Sequence, residues 1–175
     1  MPRIEKTRIA RIGVLLLLLR VGVLAADTPT APVPSQITAA KKAFISNGGQ
    51  STGPTDDYTG NQDRCYNQFY AAVKNWGRFE LLDAPGDADL VIEVRFANPP
   101  ASTFVVRGDT VFPYSDPRFT LTIFDSRTHF VLWSLTEHAE SARLKGNRDR
   151  NYDKAMNALV EDLKALFASP AAAGK

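Results

Sequence analysis

The sequence predicts an α+β fold, an antiparallel sheet of about five to seven strands with two helices packed on one face. Three observations predict it. Ala88 to Phe96 alternates strictly, with Leu90, Ile92, Val94 and Phe96 on one face and Val91, Glu93 and Arg95 on the other. Arg118 to Phe124 and Phe130 to Thr136 repeat that alternation on either side of a short polar turn, as a hairpin does. Two other stretches carry apolar residues at helical spacing: Cys65, Phe69, Ala72 and Trp76, then Tyr152, Met156, Leu159, Leu163 and Leu166. Hairpins imply antiparallel pairing, and two amphipathic helices can cover one face of the sheet.

The chain opens on Arg3, Lys6, Arg8 and Arg11, runs through Ile12 to Leu19, and reaches Val23-Leu24-Ala25. Positive charge, a short apolar segment and small residues are what the export machinery reads, so residues 1–25 are expected to be a cleaved signal peptide. The apolar stretch is shorter than the roughly 20 residues that span a bilayer. Arg20 interrupts it at a cost of roughly 2.5–3.5 kcal/mol on insertion scales, and the protein contacts a membrane only if cleavage fails. The chain is therefore expected in the periplasm or outside the cell. Residues 26–36, rich in proline, read as a spacer, residues 37–168 as one α+β domain, and 169–175 as a flexible tail.

The elements follow in order. Ala43 to Ser46 reads as a first strand stopped by Asn47-Gly48-Gly49, and residues 47–62 as a long polar loop. A helix is expected from Asp63, whose carboxylate can cap free N–H groups, to Gly77. Arg78 to Leu82 resumes as a strand before the turn at Ala84-Pro85-Gly86-Asp87. The long strand to Phe96 ends at Asn98-Pro99-Pro100. Thr103 to Arg107 and Thr110 to Phe112 form a smaller hairpin, and the Arg118–Thr136 hairpin follows. Ser141 to Asn151 reads as a polar connection to the last helix.

Composition excludes several classes. The full chain has 21 basic and 19 acidic residues; removing the five basic residues and one acidic residue of 1–25 leaves 16 and 18, a formal charge of −2. That balance lacks the basic stripe of a nucleic-acid binder, so no nucleic-acid partner is expected. Cys65 is the only cysteine, which rules out an internal disulfide; it lies far from the apolar segment, so no lipid anchor is expected. Its place on an apolar stripe marks a buried structural thiol.

No catalytic constellation is visible. His129 and His138 are the only histidines, and no HExxH or CxxC spacing occurs, so neither a metal nor another cofactor is expected. Asp56, Asp57 and Asp63 do not match a calcium-loop pattern. Arg107-Gly108-Asp109 is read as a turn rather than an adhesion ligand. The aromatic residues are more informative. Phe104, Phe112 and Tyr114 concentrate in a proline-bounded segment and are the candidate partner-binding residues. Tyr70, Trp76 and Trp133 are candidates for a pocket between sheet and helices.

Ala88-Asp89-Leu90-Val91, Asp125 to Trp133 and the amphipathic last helix together resemble exported bacterial domains of unknown function. Those families carry an ADLV strand and a D-x-(R/K)-T-x-x-x-(V/L)-W hairpin, and many of their members are lipoproteins. The resemblance implies a cell-envelope domain without catalysis of its own. It transfers no site residue, and this chain departs from it by lacking the lipid cysteine. The leading expectation is a protein-binding module for another cell-envelope protein. A small-ligand carrier is the alternative, and a hydrolase pairing an Asp or Glu with His138 the third reading.

Overall fold

A computed structural model describes residues 31–51, 58–106 and 110–168, with only the backbone described for 100–106 and 110–115. The signal segment, Asp56, Asp57, the Arg107–Asp109 tripeptide and the tail lie outside the described residues. The elements are α1 (Ser35–Ala39), β1 (Lys42–Ser51), α2 (Arg64–Trp76), β2 (Glu80–Leu82), β3 (Leu90–Ala97), β4 (Pro100–Val106), β5 (Thr110–Ser115), β6 (Arg118–Asp125), β7 (Val131–His138) and α3 (Lys145–Ala168).

The α+β class holds. Its sheet has five strands in the order β2-β1-β3-β6-β7, and β4 and β5 form a separate two-stranded sheet. Among the described residues three α-helices, not two, accompany them, because α1 precedes the sheet. The expected antiparallel pairing is correct for β3–β6, β6–β7 and β4–β5, but β1 pairs parallel with both β2 and β3. The cause is local. β2 has three residues, so the chain needs only a short return, through a 3-10 turn at Pro85–Asp87, to pass the start of β1. Asp89 fixes that passage: its Oδ2 accepts from the Lys41 and Lys42 amides, both at 2.9 Å.

Gly48 and Gly49 do not stop β1. The strand runs through them to Ser51 with a shift in register between Asn47 and Gln50. At Gly48 a Cβ would stand 2.9 Å from Glu93 Cγ and 3.0 Å from the Val94 carbonyl oxygen, so the glycine there serves close strand approach. Gly77 ends α2 as expected, at φ 69°. Asp63 differs from expectation: it stands at the N-cap without a side-chain cap bond, and its Oδ1 accepts from Asn47 Nδ2 at 3.3 Å. Packing begins before residue 37, since Val33 is buried.

One face of the sheet is sealed by α2 and α3. Its rows run Ile45–Ile92–Ile123–Trp133, then Val94–Leu121–Leu135, then Phe96–Phe119–Glu137. Against these α3 buries eight residues, including Tyr152, Met156, Leu159, Leu163 and Phe167. Tyr152 is the hub, its ring centroid 4.7 Å from that of Phe119 and 4.8 Å from that of Phe96. Among the described residues no helix covers the other face. An apolar row, Leu82–Phe44–Val91–Phe124–Val131, crosses all five strands there, and polar rows such as Ser46–Glu93–Thr122–Ser134 follow.

Candidate functional site

The β4–β5 hairpin is bounded by Pro99 and Pro117, and among the described residues it pairs with no other strand at either outer edge. Its register sets Ser102 against Tyr114, Phe104 against Phe112 and Val106 against Thr110. Because side chains alternate along a strand, positions 104, 112 and 114 fall on one face of the hairpin. The three partner-binding candidates therefore share a face by register. The hairpin is also longer than the sequence implied, spanning Pro100 to Ser115.

Beside the hairpin's point of attachment, polar side chains gather at the end of the sheet where β1 and β3 terminate. Arg64 opens α2 and lies nearly buried. Its Nη1 donates to Asp149 Oδ1 at 2.7 Å and to the Thr59 carbonyl at 2.7 Å, and its Nη2 donates to Asp153 Oδ1 at 2.7 Å. Its guanidinium carbon stands 4.2 Å from the centre of the Tyr152 ring. Asp149 also accepts from Thr59 N at 2.8 Å and from Thr59 Oγ1 at 2.5 Å. Although partial burial acts against it, this donor set holds the Asp149 carboxyl at about 2, well below an ordinary aspartate. One guanidinium stands between two carboxylates, and the bonds of Arg64 and Asp149 run to neighbouring protein groups, so the network is an anchor that joins α2, α3 and the segment at Thr59.

Sequence reasoning missed this network because its two principal members lie 85 residues apart. Asp125 opens one of the stretches that carry the resemblance, and its Oδ1 accepts from Arg127 N at 3.0 Å, Thr128 N at 2.7 Å and Thr128 Oγ1 at 2.9 Å. Both acidic residues of the resembled motifs, Asp89 and Asp125, thus bond backbone amides, and each is held below the ordinary carboxylate range chiefly by those bonds. With Lys41, Arg127 and Gln36 they line an open groove of about 360 Å³.

The pocket candidates are not gathered round one cavity. Trp76 packs edge-on against Phe79 and Phe167, with centroids 5.5 and 5.7 Å away. Tyr70 stacks at a tilt on Tyr66, and Trp133 sits on β7 opposite Ile123. None of the three lines any of the four described surface grooves. The space between sheet and helices is filled by Phe69, Val73, Leu90, Ile92, Leu121, Ile123, Leu159 and Leu163, each at most 1% exposed. A filled interface counts against a carrier pocket there.

Cys65 is buried as expected, and burial pushes its thiol up to about 12, far from thiolate chemistry at neutral pH. His129 stands in the β6–β7 turn at φ 59°. His138 does meet a carboxylate: its Nδ1 is 2.8 Å from Asp116 Oδ1, while Asp116 Oδ2 accepts from Arg118 Nη1 at 2.9 Å. The imidazole is 60% exposed, and no described hydroxyl or thiol is hydrogen-bonded to it. Among the described residues no three His, Cys, Asp or Glu side chains cluster to hold a metal, and no helix is long and apolar enough to cross a membrane.

No protein-family model and no curated protein matches the chain. Among solved structures it is similar to a dodecameric PelC variant from Paraburkholderia phytofirmans, with 13% identity and a TM-score of 0.45 over 79% of this chain and 95% of that one. It is likewise similar to a DUF4136 family protein from Bacteroides thetaiotaomicron, at 12% identity and TM-score 0.47 over 75% and 91% of the two chains. The C-terminal domain of LpoB from Salmonella enterica gives 9% identity and 0.38 over 63% and 96%. At such values the likeness assigns neither family nor function.

Proposed function

We propose that this chain is an exported cell-envelope domain that works by binding another envelope protein, and that the β4–β5 hairpin is its docking element. The observation that carries the reading is a two-stranded sheet whose outer edges meet no other strand among the described residues, with positions 104, 112 and 114 on one face by register. A two-stranded hairpin is marginal by itself in water, and a third strand would complete its hydrogen bonding. The partner accordingly presents an extended segment, which adds main-chain bonds along one edge and places apolar side chains beside the aromatic positions. Export rests on the basic, apolar and small-residue order of residues 1–25.

The test is in-cell photocrosslinking from position 104 or 112, with position 164, in the final helix, as the control. The expected result is an adduct with one envelope protein from the hairpin positions only. Absence of hairpin adducts, or equal adducts from position 164, would overturn the reading. Intact mass of the recovered chain reports export separately: cleavage near Ala25 is expected, and an unprocessed membrane-bound species would refute it.

A further inference from the structure

The five-stranded sheet has two edges of unequal character. β2 is only three residues long, whereas β7 presents eight, Val131–His138, with neither proline nor lysine among them. Lysine, proline and shortness are the usual protections of a free edge, and β7 has none of these. Val131 is 58% exposed and its neighbour Phe130 is 73% exposed, while Trp133 and Leu135 are half-buried on the helix side. Two protections are present: a bulge at Leu132, where the register with β6 shifts between Ile123 and Phe124, and an inward charge, Glu137, in the row of Phe96 and Phe119, whose carboxyl meets that of Asp162 on α3. Lys154 is exposed on the same flank of α3, lines a groove of about 210 Å³ with Glu137, His138 and Ala158, and takes part in no described ion pair.

We propose that the free edge of β7, with the flank of α3 beside it, receives a second copy of this chain related by a two-fold axis. Antiparallel pairing of a strand with itself is isologous, so one patch serves both copies. An axis near Leu135 keeps helix-side positions opposite helix-side positions, with Leu135 against the same residue of the partner. On α3, Lys154, Ala158 and Asp162 are spaced at four-residue intervals on one face. An axis passing Ala158 therefore sets Lys154 of each copy against Asp162 of the other, and the small Ala158 side chain lets the helices approach. The carboxylate pair that repels a random strand meets a matching ammonium when the partner is the same chain, which selects for self-pairing. This inference is independent of the hairpin's role.

Sedimentation equilibrium of the chain as cells process it, across a concentration series, tests the proposal. A reversible dimer is expected. Lys154→Glu and Asp162→Lys replace exposed residues and are expected to leave the fold intact, which circular dichroism checks, and each opposes like charges at both symmetry-related contacts. Each alone is expected to weaken dimerisation about tenfold or more. An equimolar mixture of the two variants opposes a carboxylate to an ammonium at both contacts and is expected to restore association to within about threefold of the parent. A parent chain that stays monomeric at about 0.5 mM overturns the proposal. So does a dimer indifferent to either reversal, or a mixture that fails to recover.

Discussion

Replacing Asp149 by asparagine keeps the shape of the side chain but removes the charge that holds Arg64. In the native protein that carboxylate accepts three hydrogen bonds of 2.5–2.8 Å, from Thr59 N, Thr59 Oγ1 and Arg64 Nη1. A carboxyl held at about 2 against an ordinary 3.8 corresponds to about 2.4 kcal/mol at about 1.4 kcal/mol per tenfold change in proton affinity. The Asp149 side chain keeps 19% of its exposure, and solvent screening brings the expectation to about 2 kcal/mol. Asp153 still contacts Arg64 in the variant, but at 52% side-chain exposure it offsets little of the loss. The sign with pH is fixed by the depressed value. The stabilisation is complete above about pH 4 and disappears as pH falls through about 2, because between those values the unfolded chain binds more protons than the folded one. Urea unfolding of parent and variant at pH 7 and again near pH 2 measures both effects. A difference below about 0.5 kcal/mol at pH 7, or one that persists unchanged in acid, would refute the reasoning, since it would make the network a surface ion pair of ordinary weakness.

The Tyr152 hydroxyl is buried with no oxygen or nitrogen partner, beside the Cys65 thiol, so Tyr152→Phe should change stability by less than about 1 kcal/mol while Tyr152→Ala costs about 3–5 kcal/mol. Thermal unfolding of the two variants checks the contrast. Cys65, with its thiol pushed up to about 12, should resist alkylation in the native protein at pH 8 and react only as the chain unfolds, which mass spectrometry along a urea gradient will follow.

Where one physical requirement acted on consecutive residues, the sequence was readable. β3 is buried on one side along its whole length, so its alternation is unbroken, and α2 carries its apolar stripe to a left-handed glycine. The reading failed where distant groups set the local structure. Gly48 looked like a stop because nothing nearby reveals that Glu93 and Val94 approach it across the sheet. The first two turns of α3 lack periodicity because they run past the core: Arg148 donates to the Arg143 carbonyl at 2.8 Å, and Asp149 serves Arg64. Parallel pairing of β1 was hidden by a connection as short as a hairpin turn. The docking candidates were legible as an apolar cluster between prolines; that they share one face depended on a register no local signal fixes.

The burial of eight α3 side chains against a sheet assembled from strands as early as β1 bears on the order in which the molecule is made. Synthesis runs from the N-terminus, and most of the sheet's apolar face has left the ribosome before Tyr152 is added. Until that final segment arrives, Phe119 lacks the Tyr152 ring and Phe96 keeps only part of its cover, beside Tyr58, so long-range strand pairing has less to reward it. The chain is therefore expected to stay open until α3 has been made. A nascent polypeptide with that property is available to be threaded through a narrow channel, and the last helix becomes the step that commits it to its folded form.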